Sequence, residues 1–185
     1  MYSRSPLPRS TTKLTCPTYH RTAETYFAYP KDGNTQNAIL LFTDVIGHSF
    51  INAQLIADQF AANGYLCVMP DLFHGDPMKL NPPAGFDLMK WLNGPPGHLP
   101  NRVDPVVDAV IKEMRGNMGV KRIGGVGYCF GGKYVVRDLQ EGKLDAGFVA
   151  HPSFVEADEL KAIKGPLSIA AAGKHAQAPS QVEVC

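Results

Sequence analysis

The chain has 185 residues, 44% of them hydrophobic, and a formal charge of +1 at pH 7. That length and apolar content suit one domain with a sizeable core, and the near-zero charge gives no electrostatic basis for binding nucleic acid or a membrane surface, so a small uncharged molecule is the expected partner. The four cysteines, Cys16, Cys67, Cys129 and Cys185, are scattered and form no Cys-x-x-Cys pair, which excludes a disulfide scaffold and a thiol metal or redox motif. Free thiols in a reducing compartment, the cytoplasm, are expected, and no apolar run has the length of a membrane span or the position of a secretory signal.

Residues 1–23 carry Arg4, Arg9, Lys13 and Arg21 with several Ser and Thr and no acid, the composition of a mitochondrial transit peptide. Pro6, Pro8 and Pro17 oppose the amphipathic helix such a peptide needs, so the stretch reads as a disordered leader, with mitochondrial targeting as the alternative. Glu24 to Tyr29 alternates apolar and polar residues as an edge strand does, and Lys31-Asp32-Gly33-Asn34 turns the chain. The next run, Ala38 to Phe42, is apolar throughout, and the theme recurs at Tyr65 to Met69, Ile123 to Gly127, Ala146 to Ala150 and Leu167 to Ala171. Continuous apolar strands belong in a parallel sheet covered on both faces. Between them, Ala53, Ile56 and Phe60 share one helix face that stops at Asn63-Gly64, and Val103, Val107, Val110 and Met114 share another, with Asp104-Pro105 as its cap and first turn. Strand and helix alternate, which predicts an α/β sheet without a second domain. Asn81 to Leu99, rich in Pro and Gly around Phe86 to Trp91, reads as an excursion from the core and a candidate lid.

Gly127-Tyr128-Cys129-Phe130-Gly131-Gly132 joins the apolar run ending at Gly127 to an amphipathic one. Glycines on both sides of a central nucleophile are what a sharp strand-to-helix turn requires. There Cys129 would present its sulfur at a helix N-terminus, and the Phe130 N–H would face a developing oxyanion. A buried structural cysteine is the competing reading. Because ligands of an open α/β sheet bind beyond the carboxyl ends of its strands, the residues to inspect are Asp44, Asp71, His74, Cys129, His151 and Lys174 with His175. Asp44, His74, His151 and Tyr128 are expected to line one pocket with Cys129. No zinc-type spacing and no phosphate loop accompanies them, so neither metal nor cofactor is expected.

Three of these segments carry a resemblance. The elbow, Thr43-Asp44-Val45-Ile46-Gly47 and Pro70-Asp71-Leu72-Phe73-His74-Gly75-Asp76 together resemble the dienelactone hydrolase family, its fungal branch in particular, over residues 24–172. The resemblance implies an α/β-hydrolase fold, a mostly parallel sheet flanked by helices, and hydrolysis of a small ester or lactone. It implies Cys129 as nucleophile, the Val45 and Phe130 amides as oxyanion donors, and Asp44 as the acid beside the thiol. It also implies an aspartate where His175 stands and a later histidine base. Residues 173–185 read as a tail outside the family pattern, so the expectation is a fold lacking the last strand and helix and an impaired enzyme, either truncated or alternatively spliced, or a pseudoenzyme. His151, next to the elbow strand, is the candidate substitute base, although a place in the pocket wall suits it better. The alternatives are an α/β binding protein without catalysis and, third, a thiol redox protein using Cys129.

Overall fold

The computed structural model describes residues 8–16 and 21–172; the expectations for Lys174, His175 and the rest of residues 173–185 lie outside it. Its strands are β1 (Arg9–Cys16), β2 (Arg21–Ala28), β3 (Asn37–Phe42), β4 (Leu66–Pro70), β5 (Arg122–Tyr128), β6 (Ala146–Ala150) and β7 (Leu167–Ala170). They form one sheet in the order β1-β2-β4-β3-β5-β6-β7. From β4 to β7 every neighbouring pair is parallel, while β1 pairs antiparallel with β2 and β2 antiparallel with β4. Helices cover both faces, as the unbroken apolar strands demand: all five residues of β4 are buried.

Helix α1 (Ile51–Ala62) lies on one face, with Ala57 and Ala61 against Tyr26, Leu41, Met69 and Val126. On the other face lie α2 (Leu88–Asn93), α3 (Pro100–Arg115), α4 (Phe130–Asp138) and α5 (Ala157–Ala162). There Val103, Val107, Val110 and Met114 of α3 meet Leu40, Phe42, Leu66 and Val68 of the sheet. Each such side chain, fully removed from water, contributes roughly 1.5–3 kcal/mol. The shared face expected of these valines is the one that is buried.

Three expectations need correction. Residues 9–16 of the expected leader are not disordered: β1 pairs with β2 along its whole length, so the sheet begins inside the stretch set apart as residues 1–23. The Arg9 guanidinium pairs with the buried Asp58 of α1 at 2.6 Å, and Asp58 also accepts from the Tyr26 hydroxyl at 2.9 Å. A polar, β-branched run is the composition of an edge strand, one face of it solvated. Consequently β2 is not an edge; it is bonded on both sides. Third, α3 starts at Pro100, not at Asp104-Pro105, because Pro100 carries the fixed φ suited to the first helical position and Pro105 is accommodated inside the helix. Asp104 is then free to pair with Arg137 of α4.

Candidate active site

Cys129 is the residue between β5 and α4. Its φ of 50° and ψ of −113° place a non-glycine residue in a region that costs about 1–3 kcal/mol, and the contacts on either side show what maintains it. A Cβ on Gly127 would lie 2.7 Å from the Gly131 carbonyl oxygen, and a Cβ on Gly131 would collide with the Phe42 carbonyl of β3. The turn can be this tight only with glycine at both places. Backbone bonds lock it from two more strands: Cys129 N–H donates to Ala150 O of β6 at 3.1 Å and Gly131 N–H to Thr43 O, just past β3, at 3.0 Å. Cys129 is a free, half-buried cysteine; Cys67 of β4 is also free but fully enclosed, and burial pushes its thiol well above the ordinary range.

Sγ of Cys129 lies 3.4 Å from Oγ of Ser153, a residue the sequence gives no reason to single out. The signal is the pairing of β5 with β6, which sets Tyr128 beside Ala150 and brings the residues that follow both strands together. Ser153 N–H also donates to the Cys129 carbonyl at 3.0 Å.

A cavity of about 220 Å³ opens beside the elbow at the carboxyl end of the sheet. Leu41, Thr43 and Asp44 line it from β3 and its exit, Phe50, Asn52, Ala53 and Ile56 from α1 and the residue before it, and Tyr128 and His151 from the ends of β5 and β6. Burial pushes the Tyr128 phenol above its ordinary pKa. The Tyr128 and His151 rings lie 6.3 Å apart, and His151 is held at a φ of 39° by its N–H bond to Ala170 O. The Thr43 hydroxyl is buried without a partner among the described residues. Asp44 Oδ1 accepts from Ile46 N–H at 2.9 Å, the turn role open to any aspartate here. The Val45 carbonyl accepts from Met78 N–H at 2.8 Å, which ties down this loop.

Asp44, Tyr128 and His151 therefore share one cavity, and Cys129 sits beside it rather than among its lining residues. His74 does not join them. Its Nε2 lies 3.2 Å from the Arg102 carbonyl of α3, turned toward the opposite face of the sheet from α1. Asp71 is a buried turn residue that accepts from Phe73 and Gly75 N–H. The excursion contributes nothing to the cavity lining; α2 within it, capped by Asp87, packs Trp91 on Phe73, and Phe73 packs on Phe130. Among the described residues no group of three His, Cys, Asp or Glu is placed to hold a metal ion, and no helix is long and apolar enough to cross a membrane.

Residues 23–182 match the dienelactone hydrolase family, a span that runs past Ala172 into the stretch expected to lie outside the family pattern. Among curated proteins, the chain is 58% identical over 149 residues to hydrolase pyvD of Aspergillus violaceofuscus, covering 80% of this chain and 60% of that one. It is 56% identical over 156 residues to hydrolase tropI of Talaromyces stipitatus, covering 82% and 61%. The chain thus spans about three fifths of the length of these relatives. A solved structure named m3DLH shares the fold with a TM-score of 0.71 at 18% identity, over 95% of this chain and 73% of that one.

Proposed function

This chain belongs to the dienelactone hydrolase family, and from that premise we propose that it cleaves a small carboxylic ester or lactone with Cys129 as nucleophile. The observation that carries the reading is the strained backbone of Cys129 at the N-cap of α4, a conformation for which core packing alone has no use. At that position the sulfur meets the N-terminal end of the helix, where unpaired amides favour negative charge. The thiolate adds to the substrate carbonyl carbon, a C–S bond forms, and the carbonyl electron pair moves to oxygen. The Val45 and Phe130 N–H groups, neither donating to a carbonyl among the described residues, are assigned to that oxygen. Collapse expels the alkoxide or phenolate and leaves a thioester. Asp44 is assigned to the thiol side of the same cavity, and Tyr128 and His151 to its wall. Among the described residues that line the cavity there is no arginine or lysine, so a neutral ester suits it better than a substrate bearing a carboxylate.

A second reading, binding without turnover, draws on a different observation: the sulfur's described hydrogen-bond partner is a hydroxyl and not an imidazole. Acylation by an activated ester needs no proton for its leaving group, whereas hydrolysis of the thioester needs a base to activate water. Mixing with p-nitrophenyl acetate should release one equivalent of p-nitrophenolate per chain in a fast phase, followed by slow or no turnover, and Cys129→Ala should abolish the fast phase. A wild-type chain without a fast phase favours the binding reading. A fast phase that survives Cys129→Ala rejects Cys129 as the nucleophile.

A further inference from the structure

The Ser153 hydroxyl has one hydrogen-bond partner among the described residues, and that partner is the Cys129 sulfur, 3.4 Å away. Ser153 is 6% exposed, so water does not readily compete for the hydroxyl. Its place is fixed from both sides. On one side its own N–H is bonded to the Cys129 carbonyl; on the other Lys133, itself buried in α4, donates from Nζ to the Phe154 carbonyl at 2.8 Å. A hydroxyl beside a thiol either accepts from S–H or donates to S⁻. The two differ in strength, since a hydrogen bond to an ionised partner is roughly twice as strong as a neutral one, so a hydroxyl held here favours the ionised sulfur.

We propose that Ser153 is a catalytic residue whose hydroxyl donates to the Cys129 thiolate and holds it ionised and aimed toward the carbonyl carbon. The proposal rests on the reading of Cys129 as nucleophile. As the C–S bond forms, the sulfur gives up its charge to the bond and the negative charge passes to the carbonyl oxygen, so the Ser153 hydrogen bond weakens during attack. The proton stays on Ser153 throughout. The donor therefore increases the thiolate population near neutral pH while making each thiolate somewhat less nucleophilic, because nucleophilicity falls as the thiol becomes more acidic.

That trade gives the hydroxyl a signature that loosening of the loop does not share. The rate of Cys129 alkylation by iodoacetamide, read by mass at that residue, is followed across pH for wild type, Ser153→Ala and Ser153→Thr. One lost hydrogen bond to a charged group should move the half-maximal pH of Ser153→Ala about one unit higher. Its rate should be about threefold lower at neutral pH and about threefold higher on the alkaline plateau, so that the two profiles cross. Ser153→Thr, which keeps the hydroxyl, should follow wild type. A Ser153→Ala profile that coincides with wild type, or is scaled by one factor at every pH, overturns the proposal; if the p-nitrophenyl acetate fast phase still depends on Cys129, the nucleophile reading survives that result. A wild-type chain not acylated at Cys129 overturns both.

Discussion

The imidazole of His98 lies against the indole of Trp91, 4.2 Å between ring centroids, and edge-on to Phe73 at 5.5 Å. His98 is 1% exposed, and burial pulls its pKa below the ordinary histidine value, while Asp76, 3.4 Å from Nε2, pulls the other way. A histidine with a lowered folded-state pKa stabilises the fold fully above the unfolded value, about 6.5, and that contribution is lost as pH falls through the folded value. Acidification from pH 7 to pH 5 should therefore loosen the excursion before the sheet. Trp91 is the single tryptophan, so its fluorescence reports this directly. The pH-dependent change should vanish in His98→Phe; persistence there would assign it to another group.

Gly131→Ala should be among the most damaging single-methyl changes in the chain. The added Cβ would collide with a backbone carbonyl of β3, which cannot rotate away as a side chain can. A loss of about 3 kcal/mol in urea unfolding is expected, together with loss of the Cys129 fast phase. A variant of wild-type stability would mean that the approach of α4 to β3 is looser than described.

The elbow was legible because its glycines answer a local constraint, and the parallel strands because burial on both faces leaves an unbroken apolar run. β1 was not, since a strand with one solvated face, containing Ser10, Thr11, Thr12 and Lys13, has the composition of a loop until its partner is known. The start of α3 was missed for a related reason: Asp104-Pro105 is a good local cap, but Val103 is already buried in the helix that begins at Pro100. Ser153 was beyond local pattern altogether, because its contact depends on the register of β5 against β6. His74 follows the right strand and turns away to Arg102, a choice made by the packing of α3.

Lys133 bridges α4 and α5 through Glu159 at 2.8 Å. Both side chains are nearly buried; burial opposes the Glu159 charge, yet Lys133 and Arg137 hold its pKa below the usual glutamate value. Lys133→Met should cost about 2 kcal/mol, less than a fully orphaned buried carboxylate because Arg137 still pairs with Glu159 at 2.8 Å. Urea midpoints measure this, and a change below about 0.5 kcal/mol would show that Arg137 alone suffices.

Asp138, at the end of α4, has burial as its dominant influence: its pKa is pushed up to about 6 despite the Lys143 ammonium 2.8 Å away. Oδ2 has no partner among the described residues. A raised folded-state pKa means that the folded chain holds the proton longer, so stability falls as pH rises from the unfolded value to about 6 and stays reduced above it. Asp138→Asn should therefore be more stable than wild type at pH 7.5, by at most about 3 kcal/mol, with the gain absent near pH 4. Lower stability than wild type at pH 7.5 would show that the bond to Lys143 outweighs the cost of burial.

The backbone around Cys129 is bonded to residues that follow β3 and β6 as well as being continuous with β5. Three segments far apart in the chain must therefore meet before that turn exists, and until they do residue 129 is a cysteine like any other. On the proposed reading of Cys129 as nucleophile, the turn that presents it forms only when the sheet is complete, so the size of the p-nitrophenyl acetate fast phase doubles as a count of correctly folded molecules.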